Sequence, residues 1–286
     1  MTQNHTKRPP IRQFGFVKFS FFLSLGLILF SWVFVIKVDG ADLFALFSEK
    51  NLHSAIGFLK NMFGVGVENP AFTDAESWQN ALYLTFKTLE MSIMAIGFAA
   101  IGMLFTVVPA ARNAADGSLT LSRNWYGRLV FLIVRGIYVF TRAIPELIWA
   151  MMIIFIFQPG ILPGAIALAL HNFGILGKLC AEVIEDLDTR PIRGLASSGA
   201  SKAQMLIYGV IPTVLPRFIT YILYRWEVII RTTIVVGFVG AGGLGRQFKL
   251  SMSFFHYTEI TLFLICYIGL VVVADLVSAG LRKGAE

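Results

Sequence analysis

Apolar residues fall along this chain in long runs separated by short polar segments, the pattern of bilayer-crossing helices. The first run, residues 19–36, is free of charge, long enough to span, and does not read as a cleavable signal peptide. The polar start before it, residues 1–12 with Lys7, Arg8 and Arg12, is expected in the cytoplasm. Residues 38–77 lean acidic through Asp39, Asp42, Glu49, Glu68, Asp74 and Glu76. They are expected outside, with short interfacial helices at 43–47 and 56–63. A second spanning helix is predicted over 78–108, ending at Pro109.

The next segment carries Arg112, Arg123, Arg128, Arg135 and Arg142. The last three recur every seven residues and so share one helix face. This predicts a helix lying on the anionic cytoplasmic leaflet. Further spans are predicted at 144–157 and 165–184, joined by a turn dense in Pro and Gly, and at 215–239 and 258–279. A polar cytoplasmic segment lies at 189–208 and a Gly-rich outer loop at 240–245. Arg282 and Lys283 close the chain inside. The sum is an all-α, multi-pass inner-membrane protein of about six spanning helices with both termini cytoplasmic. Residues 1–78 form an N-terminal part and 79–286 the core.

Composition supports the bilayer as solvent. The chain is 56% hydrophobic and 14% charged, against roughly a quarter charged in soluble domains. Its net charge of +7 would suit nucleic acid, but the basic residues flank the apolar runs, where they set membrane orientation. Membrane lipid, not nucleic acid, is the expected partner. Cys180 and Cys266 sit in apolar runs with no metal spacing and no disulfide framework.

The most informative polar stretch is 181–212. Asp188 or Thr189 can cap a short helix whose first turn holds Pro191. Gly199 can end it in the left-handed region. Ser201 and Gln204 form a capping box for a second helix, which Pro212 would stop or kink. A cytoplasmic helix–Gly–helix hairpin follows. It resembles the coupling loop of ABC-importer permeases, the EAA loop. Arg193-Gly194-Leu195 stands at the Glu-Ala-Ala positions, Gly199 at the loop glycine, followed by Ala200, and Ile211-Pro212 at the ending. Arg193 replaces the family glutamate, so that residue's salt bridge to the ATPase is not carried over.

Four further segments, starting at Arg142, Gly177, Tyr224 and Val239, are similar to the phosphonate/phosphite branch of these permeases. The resemblance covers roughly residues 82–282. It implies a MetI-like ABC-importer permease fold and a partnership with a second copy of the chain. It also implies two cytoplasmic ATPase subunits docked on the hairpin, and a periplasmic substrate-binding protein. ATP and Mg would be held by the ATPase and no cofactor by this chain. The cargo implied is a small phosphorus oxyanion. The methionine branch, which shares the Gly-rich loop, is the alternative within the family. An ion-coupled secondary transporter is the alternative outside it, though the inverted repeats of many such transporters are not seen.

Charges inside spanning helices are costly and therefore candidates for the substrate path. His171 and Lys178 share a face of the fourth helix, where they either line an anion path or act in packing, Lys178 by pairing with Glu182. Arg225 is free to meet an anion or another helix. Glu227 and Arg231, four apart, are expected to pair with each other as a structural ion pair; Arg231 is also a path candidate. Asp275 is expected to meet an Arg near the inner end. Residues 240–245 match G-x-G-x-x-G, but an apolar helix precedes them and no βαβ unit follows, which excludes a dinucleotide site. No P-loop is present, so the chain is expected not to hydrolyse ATP itself.

Overall fold

The computed structural model describes residues 15–38, 40, 42, 44–117 and 125–285. The expected cytoplasmic start at 1–12, Arg123, and the first residue of the short helix placed at 43–47 lie outside them. The chain divides into two units, residues 1–60 and 61–286.

In the first unit, α1 (Phe16–Lys37) is apolar on every side and buries none of its residues. At 1.5 Å per residue it is about 33 Å long, enough for the hydrocarbon core. Asp42 Oδ1 then caps a single turn at Ala45–Phe47 by accepting from Phe44 N–H at 2.9 Å and Ala45 N–H at 3.2 Å. α2 (Glu49–Met62) follows, with Leu52, Ile56 and Leu59 on one exposed stripe.

The second unit is a helix bundle with no strand among the described residues. α3 (Ala75–Thr106) is capped by Asp74, whose Oδ2 accepts from the hydroxyl of Ser77 at 2.7 Å and its N–H at 2.8 Å. Those bonds, the hydroxyl's first, hold the Asp74 carboxyl below the usual carboxylate range. The charged cap is therefore intact at neutral pH and is lost only as pH falls through that lowered value. A single turn, α4 (Arg112–Ala115), leads to α5 (Trp125–Ala143) and α6 (Glu146–Phe157), which meet at a 91° bend. Pro145 accounts for the break, since it cannot donate into the preceding helix. α7 (Ile161–Glu185) runs through the middle of the bundle. Its Gly164, Ala165, Ala167, Gly174, Gly177 and Ala181 let neighbouring backbones come close, the usual packing solution in membranes.

The helical run Lys202–Ala241 contains α9 (Lys202–Gln204) and α10 (Ile211–Val236), with wider turns at Met205–Val210 and Gly237–Ala241. α11 (Gly243–Ser253) and α12 (Tyr257–Ala285) complete the bundle. Among the described residues, five helices are long and apolar enough to cross a membrane, six if the bent α5–α6 pair counts as one span.

Two expectations are corrected and a third is narrowed. α5 is not a surface helix: it packs antiparallel on α7. Arg135 pairs with Glu185, the hydroxyls of Tyr138 and Thr106 share a hydrogen bond of 2.7 Å, and Thr141 sits against Gly174. Arg135 also donates through Nε to the Ala110 carbonyl at 2.8 Å, so its charge is satisfied inside the bundle rather than by lipid headgroups. Pro212 does not stop the helix: the helical run continues through it, and of the two readings the one left is a local distortion, seen as the wide turn at Met205–Val210 just before it. The Gly-rich loop leads into a further helix, α11, rather than directly to Tyr257.

Candidate functional site

The hairpin at the inner end of α7 is built by local capping rules. α8 (Arg190–Ser197) starts after Thr189, whose side chain makes no cap bond; Asp188 Oδ1 instead accepts from Arg190 N–H at 3.0 Å. At the other end the N–H of Ala200 bonds the Leu195 carbonyl and that of Gly199 bonds the Ala196 carbonyl, both at 3.1 Å. These are the two bonds of a Schellman cap, and Gly199 supplies the required positive φ of 84°. The reciprocal cap is also formed: Ser201 N–H donates to Gln204 Oε1 at 2.8 Å, and Gln204 N–H to Ser201 Oγ at 3.3 Å.

The inner face of this hairpin is anchored. Ile192, Met205 and Val210 are buried in the main core, and Leu195 and Ile192 close over Gly209. The outer face presents Arg193, Gly194, Gly199, Ser201 and Lys202 to solvent, together with Ile207 at 53% and Tyr208 at 72% exposure. A shallow cleft lined by Leu195, Gly199, Ala200, Gln204 and Tyr208 opens there. A rigidly seated element with an open polar and aromatic outer surface can take a protein partner and pass its movement to α7 and α10.

A second polar region lies within the bundle where α6, α7 and α10 meet. Arg225 donates through Nε to Asn172 Oδ1 at 2.9 Å and through a terminal nitrogen to the same oxygen. Asn172 is buried and donates to the Leu168 carbonyl at 2.7 Å. Next to it, His171 Nδ1 donates to the Ile144 carbonyl at 2.9 Å, a group left free by the α5–α6 break. Its Nε2 lies 3.2 Å from Glu146 Oε2, and Glu146 also attracts Arg225 electrostatically. Arg225 thus meets another helix, one of the two readings open for it, held by the neutral amide of Asn172 with the Glu146 carboxylate nearby.

Lys178 pairs with Glu182 at 3.2 Å, one of the two readings open for it. The expected Glu227–Arg231 pair gives way to two bridges to α12: Arg231 to Asp275 at 2.8 Å and Arg282 to Glu227 at 2.6 Å. Antiparallel α12 offers each charge an opposite one on a facing helix, so the four charges tie two helices together instead of bracing one. Near the other end of the bundle, Leu244 N–H donates to buried Thr88 Oγ1 at 2.9 Å. A Cβ on Gly237 would come within 2.7 Å of the Gly245 Cα, so the glycine loop serves close backbone packing.

Sequence reasoning missed Glu146 and Asn172, which look like ordinary polar residues until the fold brings them to His171 and Arg225.

Residues 114–284 match the family described as the binding-protein-dependent transport system inner membrane component. The chain is 35% identical over 214 residues to a phosphite transport system permease protein of Stutzerimonas stutzeri, covering 75% of this chain and 73% of that protein. It is 33% identical over 202 residues to a phosphate-import permease protein of Mycolicibacterium smegmatis, covering 70% of this chain and 36% of that longer one. Among solved structures, an inward-facing MetNI methionine ABC transporter chain superposes with a TM-score of 0.63 at 16% identity, covering 74% of this chain and 99% of the other. An amino acid ABC transporter chain gives 0.56, also at 16%, with coverage of 73% and 98%. At these identities the structural likeness speaks for the MetI-like permease fold. With the family match over most of the bundle, the chain belongs to the family of inner membrane components of binding-protein-dependent transport systems.

Proposed function

We propose that this chain carries a small phosphorus oxyanion, phosphite or a phosphonate, from a periplasmic binding protein to the cytoplasm. Two copies enclose the path, each docking one ATPase subunit on its 189–212 hairpin. ATP and Mg are held by those ATPases, and none by this chain. Both termini and the hairpin face the cytoplasm, in keeping with the Lys and Arg distribution. Closure of the ATPases pushes the hairpins, and rigid-body rocking of the attached α7 and α10 alternates access to the path.

The observation that carries the cargo assignment is the 35% identity to a phosphite permease over three quarters of the chain. The polar cluster supports it: Arg225, held by a neutral amide, and His171 supply two nitrogen donors within the bundle, with the Glu146 carboxylate as their counter-charge until an anion arrives. The test is uptake of phosphite by cells whose only importer contains this chain. Arg225→Gln is expected to lower uptake about tenfold, equivalent to ~1.4 kcal/mol, with the complex still assembled. Equal uptake by the variant and the unaltered protein would remove Arg225 from the path.

A further inference from the structure

Four charged side chains project from α10: Arg217, Arg225, Glu227 and Arg231. The last three are committed to Asn172, Arg282 and Asp275. Arg217 is exposed and its guanidinium meets no acceptor among the described residues. Two turns along, Tyr224 is 52% exposed with its hydroxyl likewise unpartnered. With Thr213 and Thr220 they form one stripe at spacings of four, three and four. The threonine hydroxyls donate to the carbonyls of Gly209, at 2.8 Å, and Pro216, at 3.0 Å. The free donors of the stripe are therefore the guanidinium and the phenol.

The open flanks of α5 and α6 give the contrast: beyond exposed Arg128 in the first turn of α5, Ile133, Phe140, Phe155 and Ile156 make them apolar, as lipid contact requires. An unpaired arginine on such a flank would be costly, and the neighbouring charges of α10 avoid that cost by pairing. The geometry points to the Arg217–Tyr224 stripe as the wet wall of the permeation path and a second oxyanion-contacting station, on the hairpin side of Arg225. The two groups are about 10 Å apart along the helix, close enough for one small oxyanion to pass from one to the other. A planar fork of N–H donors with a phenolic O–H suits a phosphorus oxyanion. A lipid phosphate offers the same chemistry, so the test must separate the two sources. The inference rests on the oxyanion-import reading above.

Single cysteines replace Arg217, Tyr224 and, as a lipid-facing control, Phe140, in the assembled complex in nanodiscs. An anionic, membrane-impermeant thiosulfonate is the probe. Positions 217 and 224 are expected to label about tenfold or more faster than 140, since the reagent reaches thiols through water. Arg217→Gln is expected to cut phosphite uptake about tenfold and Arg217→Lys to restore most of it, while the ATPase still copurifies. Labelling at 217 and 224 no faster than at 140 would place the stripe against lipid and overturn the inference. Uptake by Arg217→Gln equal to that of the unaltered protein would overturn it too. If the unaltered complex imports no phosphorus oxyanion, the import reading itself fails, and a slow label then rejects the wet wall separately.

Discussion

Gly174→Val is expected to leave little folded permease in the membrane. α5 lies so close to α7 that a Cβ at this position would come within 2.6 Å of the Tyr138 carbonyl oxygen and 3.0 Å of the Arg142 amide nitrogen. Both obstacles are backbone, so relief requires α5 to move away as a unit. Two contacts on the same seam would loosen together, Arg135 with Glu185 and His171 with the Ile144 carbonyl, and so would the bond from Tyr138 of α5 to Thr106 of α3. Overpacking of this kind costs about 1–3 kcal/mol or more, and each separated polar group adds to it in a medium without water. Gly136→Val on α5 is the control, because nothing lies within 4 Å of a Cβ there. Thermal unfolding in detergent should show a large drop for Gly174→Val and almost none for Gly136→Val. Equal unfolding temperatures would mean that α5 does not pack on α7 as described.

Gly199→Val should behave in the opposite way, with normal assembly and lost coupling. No atom lies within 4 Å of a Cβ at Gly199, so nothing clashes. The obstacle is the backbone: φ is 84°, and a β-branched residue in the left-handed region costs about 1–2 kcal/mol. The Schellman bonds from Gly199 and Ala200 would be the first to yield, changing the angle between α8 and the helix that begins at Lys202. The spanning helices have no contact with the new side chain. The expected result is a complex at normal yield whose ATPase no longer responds to loaded binding protein. Gly199→Asn, which tolerates a positive φ, should keep most of the response. Ser201→Ala should give a milder loss, since a helix cap is worth about 1 kcal/mol. Full stimulation in Gly199→Val would show that this hairpin is not the coupling element.

The parts of the fold that were legible beforehand depend on short-range rules. α3, α7 and α12 are long apolar runs, and length with hydropathy is enough to place them. The hairpin was legible for a different reason: Ser201, Gln204 and Gly199 act on their own backbone neighbours, and that chemistry is written within a few residues. α5 was misread because its arginines recur every seven residues, as in a helix lying on a membrane surface. Only the fold reveals that Glu185, fifty positions away, meets Arg135. The same limit explains the charge pairs of α10. Spacing of four suggested Glu227 with Arg231, whereas the facing charges of α12 capture both. The cluster around Arg225 was half legible: His171 and Arg225 stood out as charges in spans, but Asn172 and Glu146 gain meaning only from the α5–α6 break that brings α6 back onto α7.

The most direct measurement is uptake of labelled phosphite into proteoliposomes containing this chain with its ATPase subunit, with the binding protein on the opposite side of the bilayer from the ATP. Accumulation that requires both ATP and the binding protein, and that excess methionine does not reduce, is the result expected. Accumulation driven by an ion gradient without ATP, or preference for methionine over phosphite, would contradict it.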